Sequence, residues 1–158
     1  MSISRQNLSI VIVTFKSEMV IHNCIRSIEK DIKIIVVENS NNYQFKEELE
    51  STYANVSCVL TSKNLGMGSG NNIGIKKAKT DFVLILNPDV ILETSTINEL
   101  IAASKKITNF AILAPISTDT NYPNYRLLEN KKIWNKDESL FKVKSVDGFA
   151  MLFNKKKL

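Results

Sequence analysis

At 158 residues the chain is long enough for one domain with a sizeable core, and 44% hydrophobic against 23% charged residues is a globular balance, not a disordered one. No apolar run approaches the roughly 20 residues of a membrane span, and no small-residue cleavage site follows the apolar stretch at 8–15, so neither a span nor a signal peptide is expected. The net charge of +5 comes largely from lysine clusters, which suits anionic ligands or an anionic membrane surface; nucleic acid is excluded as the expected partner by the lack of zinc-finger spacing, aromatic-basic interleaving or an RNA-binding motif.

In chain order, residues 8–15 are β-branched almost throughout and predict a first strand. Ser17 is placed to cap the next helix, whose Ile21, Cys24, Ile25 and Ile28 share one face. Residues 32–37 predict a second strand, ending in the polar cluster Glu38-Asn39-Ser40-Asn41-Asn42. Phe45, Leu49 and Tyr53 mark the buried stripe of a second helix, and 56–60 a third strand. A glycine-rich stretch with Gly66, Gly68, Gly70 and Gly74 then leads into a helix running to about Lys79. The apolar run 82–86 predicts a strand buried on both faces, stopped at Asn87-Pro88 because proline has no N–H for a ladder and forces its predecessor into an extended or turn shape. Thr96 with Glu99 suggests a capping box for a helix burying Ile97, Leu100 and Ile101, and 110–113 a fifth strand closed by Pro115.

This strand–helix alternation predicts an open, mainly parallel α/β sheet with helices on both faces. Beyond Ser117 the pattern changes. Residues 118–124 are polar and turn-rich, 125–128 a weak strand, 131–138 polar around Trp134, and 141–143 and 146–153 strands, the second broken by Gly148, together read as a mixed extension of the sheet. Cys24 and Cys58 show no CxxC spacing or histidine cluster and are read as reduced core thiols of a cytosolic protein; His22 is read as an ordinary surface histidine.

Four features fall just beyond strand C-termini: Thr14-Phe15, Glu38-Asn39-Ser40, the glycine-rich stretch and Asn87-Pro88-Asp89. In a parallel sheet they converge on the edge where ligands bind. The glycines do not form a dinucleotide fingerprint: G-x-G-x-x-G started at Gly66 or Gly68 ends on Asn71 or Ile73. They still allow close backbone approach, and a helix N-terminus favours an anion. Asp89 is a candidate ligand for Mg²⁺ or Mn²⁺, which bind through one or two carboxylates plus substrate phosphates. Glu38 suits a base or ribose, as acidic residues ending the second strand do in nucleotide folds.

The strings Ile10-Val-Ile-Val-Thr-Phe15, Ile35-Val-Val-Glu-Asn-Ser40, Asn64-Leu-Gly-Met-Gly-Ser-Gly-Asn-Asn-Ile-Gly74 and Leu86-Asn-Pro-Asp-Val90, in this order and spacing, resemble family 2 glycosyltransferases, nearest the rhamnosyltransferase-like branch of bacterial surface polysaccharide synthesis. The resemblance covers nearly the whole chain. It implies a GT-A fold and inverting, Mg²⁺- or Mn²⁺-dependent transfer from a nucleoside-diphosphate sugar to a saccharide or lipid-linked acceptor. It also implies a cytoplasmic location, with peripheral association at the inner face of the membrane allowed.

On this resemblance Thr14, Phe15, Glu38 and Asn39 hold the nucleoside, Glu38 standing where the family more usually has aspartate. The stretch from Lys63 to Asn72, with Asn64, Gly66 and Gly70 singled out, lines the nucleotide and sugar cleft. Asn87-Pro88-Asp89 takes the Asp-x-Asp position with Asp89 as metal ligand, and Asp147 and Gly148 belong to the acceptor side. The family's carboxylate base lies in a later segment. Residues 1–158 are therefore expected to be one nucleotide-sugar-binding domain without that base, with Asp119, Asp137, Glu138 and Asp147 as the candidate replacements. The alternative is a catalytically inactive, truncated module that holds a nucleotide sugar or a partner. A nucleotidyltransferase fits less well because Thr14-Phe15-Lys16-Ser17 is not the glycine-rich, basic loop those enzymes carry after the first strand.

Overall fold

A computed structural model describes residues 3–119, 121, 123–134 and 137–158, with the backbone alone at 129–134 and 137–139. Eight strands and four α-helices occur in the order β1 (Leu8–Thr14), α1 (Glu18–Arg26), β2 (Lys33–Glu38), α2 (Tyr43–Thr52), β3 (Val56–Leu60), α3 (Gly66–Lys77), β4 (Phe82–Leu86), α4 (Thr96–Lys106), β5 (Ile112–Leu113), β6 (Tyr125–Trp134), β7 (Asp137–Val146) and β8 (Ala150–Asn154), counted among the described residues. One sheet has the order β3-β2-β1-β4-β8-β5; β6 and β7 form a separate two-stranded sheet.

β1 to β4 pair in parallel, as the alternation predicts. The chain winds outward from β1 through β2 to β3, then returns to lay β4 on the other side of β1. That reversal makes a topological switch point between β1 and β4, and a crevice opens at their C-terminal ends. Both faces of these strands are covered because successive side chains point to opposite sides. Ile10, Ile12, Ile34, Val36, Leu84 and Leu86 pack on one face with Ile21 and Ile25 of α1, Phe45 and Leu49 of α2, and Ile97 and Leu100 of α4. Val11, Ile35, Val37, Val83 and Ile85 pack on the other with Ile73 and Ile75 of α3. All five residues of β4 are buried, as its unbroken apolar run requires.

Several expectations are corrected. The glycine-rich stretch does not precede a helix; it is the first two turns of α3. A Cβ on Gly74 would collide with Val11 Cγ1, and one on Gly70 would stand 2.7 Å from Val13 Cγ1, so these glycines let the helix lie directly on β1. The Thr96–Glu99 capping box does not form: the helix begins one residue earlier, with Ser95 in an αR conformation whose side chain caps nothing. Ser17 occupies its cap position but turns its hydroxyl toward the Phe15 backbone instead of capping α1.

The last third differs most. The predicted strand at 146–153 is two strands, β7 and β8, separated by a turn at 147–149. β8 runs antiparallel between β4 and the two-residue β5, so the sheet is mixed as expected, but the β6–β7 hairpin stands outside it. The segment read as polar at 131–138 belongs to that hairpin, apart from residues 135 and 136, which lie outside the described residues, as do residues 120 and 122 of the turn-rich stretch.

Candidate functional site

The crevice at the switch point is a cleft of about 470 Å³. Its walls are the turn after β1 (Thr14, Phe15, Lys16), the start of α1 (Ser17, Val20), Asn39 after β2, Asn64 and Gly66 before and at the start of α3, and Asn87-Pro88-Asp89 after β4. A larger hollow of about 600 Å³ lies at the opposite edge, between residues such as Arg5, Lys33 and Lys79, and contains none of the predicted site residues.

The parallel register places Thr14 beside Glu38, and Thr14 Oγ1 donates to Glu38 Oε2 at 3.0 Å. The other carboxylate oxygen accepts from the Ser40 N–H at 2.6 Å and from the Ser40 hydroxyl. Glu38 is 0% exposed and does not line the cleft. Its longer side chain is thus folded back under the strand ends, with its oxygens committed to Thr14 and Ser40. Asn39 borders the cleft instead but is itself buried: Nδ2 donates to the Gly66 carbonyl at 3.2 Å and Oδ1 accepts from Thr61 Oγ1 at 3.0 Å, tying the end of β2 to the start of α3.

On the other wall, Asn87 begins a turn closed by the Val90 N–H donating to the Asn87 carbonyl at 3.2 Å. Pro88 and Asp89 sit at its tip, and Asp89 is exposed. Phe15 and Met67, 46% and 52% exposed, give the cleft an apolar lip. Lys16 adopts φ +54°, a left-handed conformation that costs a lysine about 1 kcal/mol. Such strain concentrates where the surroundings hold a functional turn in place. The Lys16 ammonium lies 5.7 Å from the Phe15 ring centroid, a cation over an aromatic face.

Of the donor-side residues read from the sequence, Thr14, Phe15, Asn39, Asn64, Gly66, Asn87 and Asp89 come together in the cleft. Lys63 and Asn72 are exposed outside it, and Gly70 is buried against β1. Asn71, not Asn72, is the inward neighbour, and its Oδ1 has no hydrogen-bond partner among the described residues. Asp147 and Gly148 form the exposed turn before β8, which returns to the same edge because β8 is antiparallel to β4; the Asn87 N–H donates to the Phe149 carbonyl at 2.9 Å. The carboxylates of Asp137 and Glu138 lie outside the described residues, and Asp119 is exposed in the segment after β5.

Met67 lies within the stretch 63–72 that the resemblance gives to the cleft, whereas Lys16, Ser17 and Val20 were missed as lining residues by sequence reasoning. Val20 is an exposed apolar residue at the start of α1, and only the helix's placement brings it to the cleft.

His22 faces away from the cleft, bonded through Nδ1 to Tyr53 and through Nε2 to Glu48 at 2.9 and 3.3 Å. Both cysteines are free and buried. Burial, then the Asp89 carboxylate, push the Cys24 thiol up to about 12; burial does the same for Cys58. Among the described residues no cluster of three or more His, Cys, Asp or Glu could hold a metal by itself. The donors at the tip of the cleft are instead one exposed carboxylate and the Asn87 amide oxygen two residues before it. Hard oxygen donors in such small number fit a Mg²⁺- or Mn²⁺-type cation that completes its shell with water and ligand phosphates.

Comparison with known proteins agrees with this geometry. Residues 9–156 match the profile of the family described as Glycosyl transferase family 2. A low-salt glycan biosynthesis hexosyltransferase, Agl10 of Haloferax volcanii, is 31% identical over 113 residues, covering 69% of this chain and 36% of that protein. Among solved structures, S. aureus TarS (residues 1–349) in complex with UDP-GlcNAc superposes with TM-score 0.70 at 16% identity, over 94% of this chain and 45% of that one. The mannosyltransferase PcManGT of Pyrobaculum calidifontis, in complex with GDP-Man and Mn²⁺, gives TM-score 0.70 at 11% identity, over 97% and 46%. The fold these structures share with the chain is GT-A. The chain spans about a third to a half of the length of these proteins.

Proposed function

The chain belongs to glycosyl transferase family 2, and from that premise we propose that its cleft is the donor site of an enzyme that transfers a sugar from a nucleoside diphosphate to a saccharide or lipid-linked acceptor, with inversion. The observation that carries this is the convergence, at the β1/β4 switch point, of Thr14, Phe15, Asn39, Asn64, Gly66, Asn87 and Asp89 in one cleft. Phe15 offers a flat apolar surface to a base, and the exposed Asn64 amide offers its N–H groups to base or ribose, while the buried Asn39, bonded to Gly66 and Thr61, stiffens the wall between them. Glu38 and Thr14 brace this wall from beneath; for Glu38 to contact the nucleoside itself it would have to release Ser40. Lys16 stands where a diphosphate charge would be met.

Asp89, with Asn87, would hold a divalent cation, Mg²⁺ or Mn²⁺. Bound there, the cation offsets charge on the leaving diphosphate. We place the general base and most of the acceptor surface in the part of the family's length that these residues do not span, with Asp147 and Gly148 at its border. A role in surface polysaccharide synthesis at the cytoplasmic face of a membrane is in keeping with the lysine-rich surface, and no helix among the described residues is long and apolar enough to cross a membrane.

The test is a thermal-shift titration of the chain with UDP, GDP, CDP and dTDP, each with and without Mn²⁺. A ligand held by the folded state raises stability by mass action, about 2.7 kcal/mol at a hundredfold excess over Kd. One nucleoside diphosphate should raise the Tm, and more so with Mn²⁺. If none shifts it under either condition, the cleft is not a donor site.

A further inference from the structure

The loop that carries Asp89 runs from Asn87, just after β4, to Leu92, and helix α1 with its C-cap residue Ser27 grips it at both ends. At the start, Cys24 Sγ donates to the Asn87 carbonyl at 3.6 Å, the same carbonyl that closes the Asn87–Val90 turn. At the finish, the Leu92 N–H donates to Ser27 Oγ at 3.0 Å, while that hydroxyl donates back to the Cys24 carbonyl at 2.7 Å. Cys24 and Leu92 are buried in the same core cluster, and the Asn87 N–H is further fixed by the Phe149 carbonyl in the turn before β8. Asp89 is thus an exposed carboxylate on a short arch whose two feet are bolted to one helix. Sequence alone gives Cys24 only as one residue of a buried helix face and gives Ser27 no role. Only the packing of α1 beside the β4 edge shows that both reach the loop.

We propose that Cys24 and Ser27 are positioning residues that hold the 87–92 loop so that Asp89 is presented to a divalent cation. This rests on the donor-site reading above. Neither residue lines the cleft. Their effect runs through the loop: a ligand held in place before the ion arrives loses less freedom on binding it, and outer partners of a metal ligand tune affinity through its orientation. Cys24 acts as a neutral thiol, a weak donor that asks for no ionisation.

The experiment measures UDP and GDP binding by titration calorimetry with and without Mn²⁺, together with amide exchange at Leu92 by NMR, in the 158-residue chain. Ser27→Ala should speed exchange at Leu92 and weaken the Mn²⁺-dependent gain in affinity roughly fivefold, the weight of one hydrogen bond. Metal-free affinity should stay as in the parent chain. Ser27→Thr, which keeps the hydroxyl, should restore both readouts. Cys24→Ala should reduce the Mn²⁺-dependent gain in the same way through Asn87. A wild-type Mn²⁺ dependence in both alanine variants, while Asp89→Asn abolishes it, would overturn the clamp and leave the donor site standing. An equal fall with and without Mn²⁺ would also overturn it, since that marks general loosening of the cleft. Mn²⁺ dependence surviving in Asp89→Asn would instead remove the metal-ligand reading, and the clamp with it.

Discussion

Glu38 and Asp89 end two strands that flank β1, at one edge of one sheet, and their surroundings are opposite. Glu38 is fully enclosed, and its oxygens accept from the Thr14 hydroxyl and from the N–H and hydroxyl of Ser40. Asp89 stands in solvent at the tip of a turn beside the cleft. The difference comes from the path the chain takes on leaving each strand. After β2 the chain turns back over its own end, Asn41 taking φ +58°, and Asn42 caps α2 by accepting from the Phe45 N–H. After β4 the Asn87-Pro88 step carries the next residue away from the sheet. A buried charge is tolerable only when its hydrogen bonds are made, whereas an exposed one keeps its valence for a ligand. Position at a strand end therefore nominates a carboxylate, and the partners it already has decide between scaffold and ligand.

The largest effect should come from breaking the enclosed site. Glu38→Ala leaves the buried Thr14 hydroxyl and the half-buried Ser40 N–H without their acceptor and opens a cavity besides. A loss of about 3 kcal/mol is expected, by denaturant unfolding. A loss below about 0.5 kcal/mol, the range of ordinary surface changes, would put Glu38 in the same class as Asp89 and erase the contrast.

Next in size is the helix that backs the cleft wall. Gly74→Ala would press a Cβ into Val11 Cγ1 and should cost about 2 kcal/mol. Gly68→Ala meets nothing within 4 Å and lies inside α3, so it should stabilise by up to about 1 kcal/mol, because alanine is the better helix former. Equal costs at the two positions would mean that the stretch behaves as a loop. This pair also shows where sequence reasoning stopped. Four glycines in nine residues look alike on paper as flexible turn and as close helix packing, and the partner that decides, β1, lies more than fifty residues earlier.

The parallel strands were legible because their apolar runs are continuous, and the Asp89 turn because proline ends a strand by its chemistry. The hairpin and the antiparallel insertion of β8 were not. Gly148 was visible as a break, but nothing local said that the chain reverses there and pairs with β4 rather than with β7. The inward turn of Glu38 was equally hidden, since it depends on register with Thr14 and on a serine two residues on.

Ser40→Ala refines the contrast at smaller scale. It removes the hydroxyl from Glu38 but leaves the Ser40 N–H and the Thr14 hydroxyl in place, so the carboxylate stays partnered. A loss of about 1 kcal/mol is expected. A loss as large as that of Glu38→Ala would show that the serine hydroxyl alone holds the side chain inward.

The smallest effect on stability, and the largest on binding, belongs to Asp89→Asn. The side chain is exposed at the tip of a turn whose closing bond, from the Val90 N–H to the Asn87 carbonyl, is made by backbone alone. Asparagine is nearly isosteric and equally at home in a turn, so unfolding in denaturant should shift by less than about 0.5 kcal/mol. Its amide oxygen carries no net charge. The arch would still present an oxygen to a cation, with the attraction that fixes a hard ion to one carboxylate removed. The Mn²⁺-dependent part of nucleoside-diphosphate binding should then vanish while the metal-free part stays, both read in one titration series. A stability loss of about 2 kcal/mol or more, on the scale of core substitutions, would mean that Asp89 is scaffold like Glu38. Metal-dependent binding that survives in a stable variant would place the ion on other oxygens of the cleft, the Asn87 amide first among them.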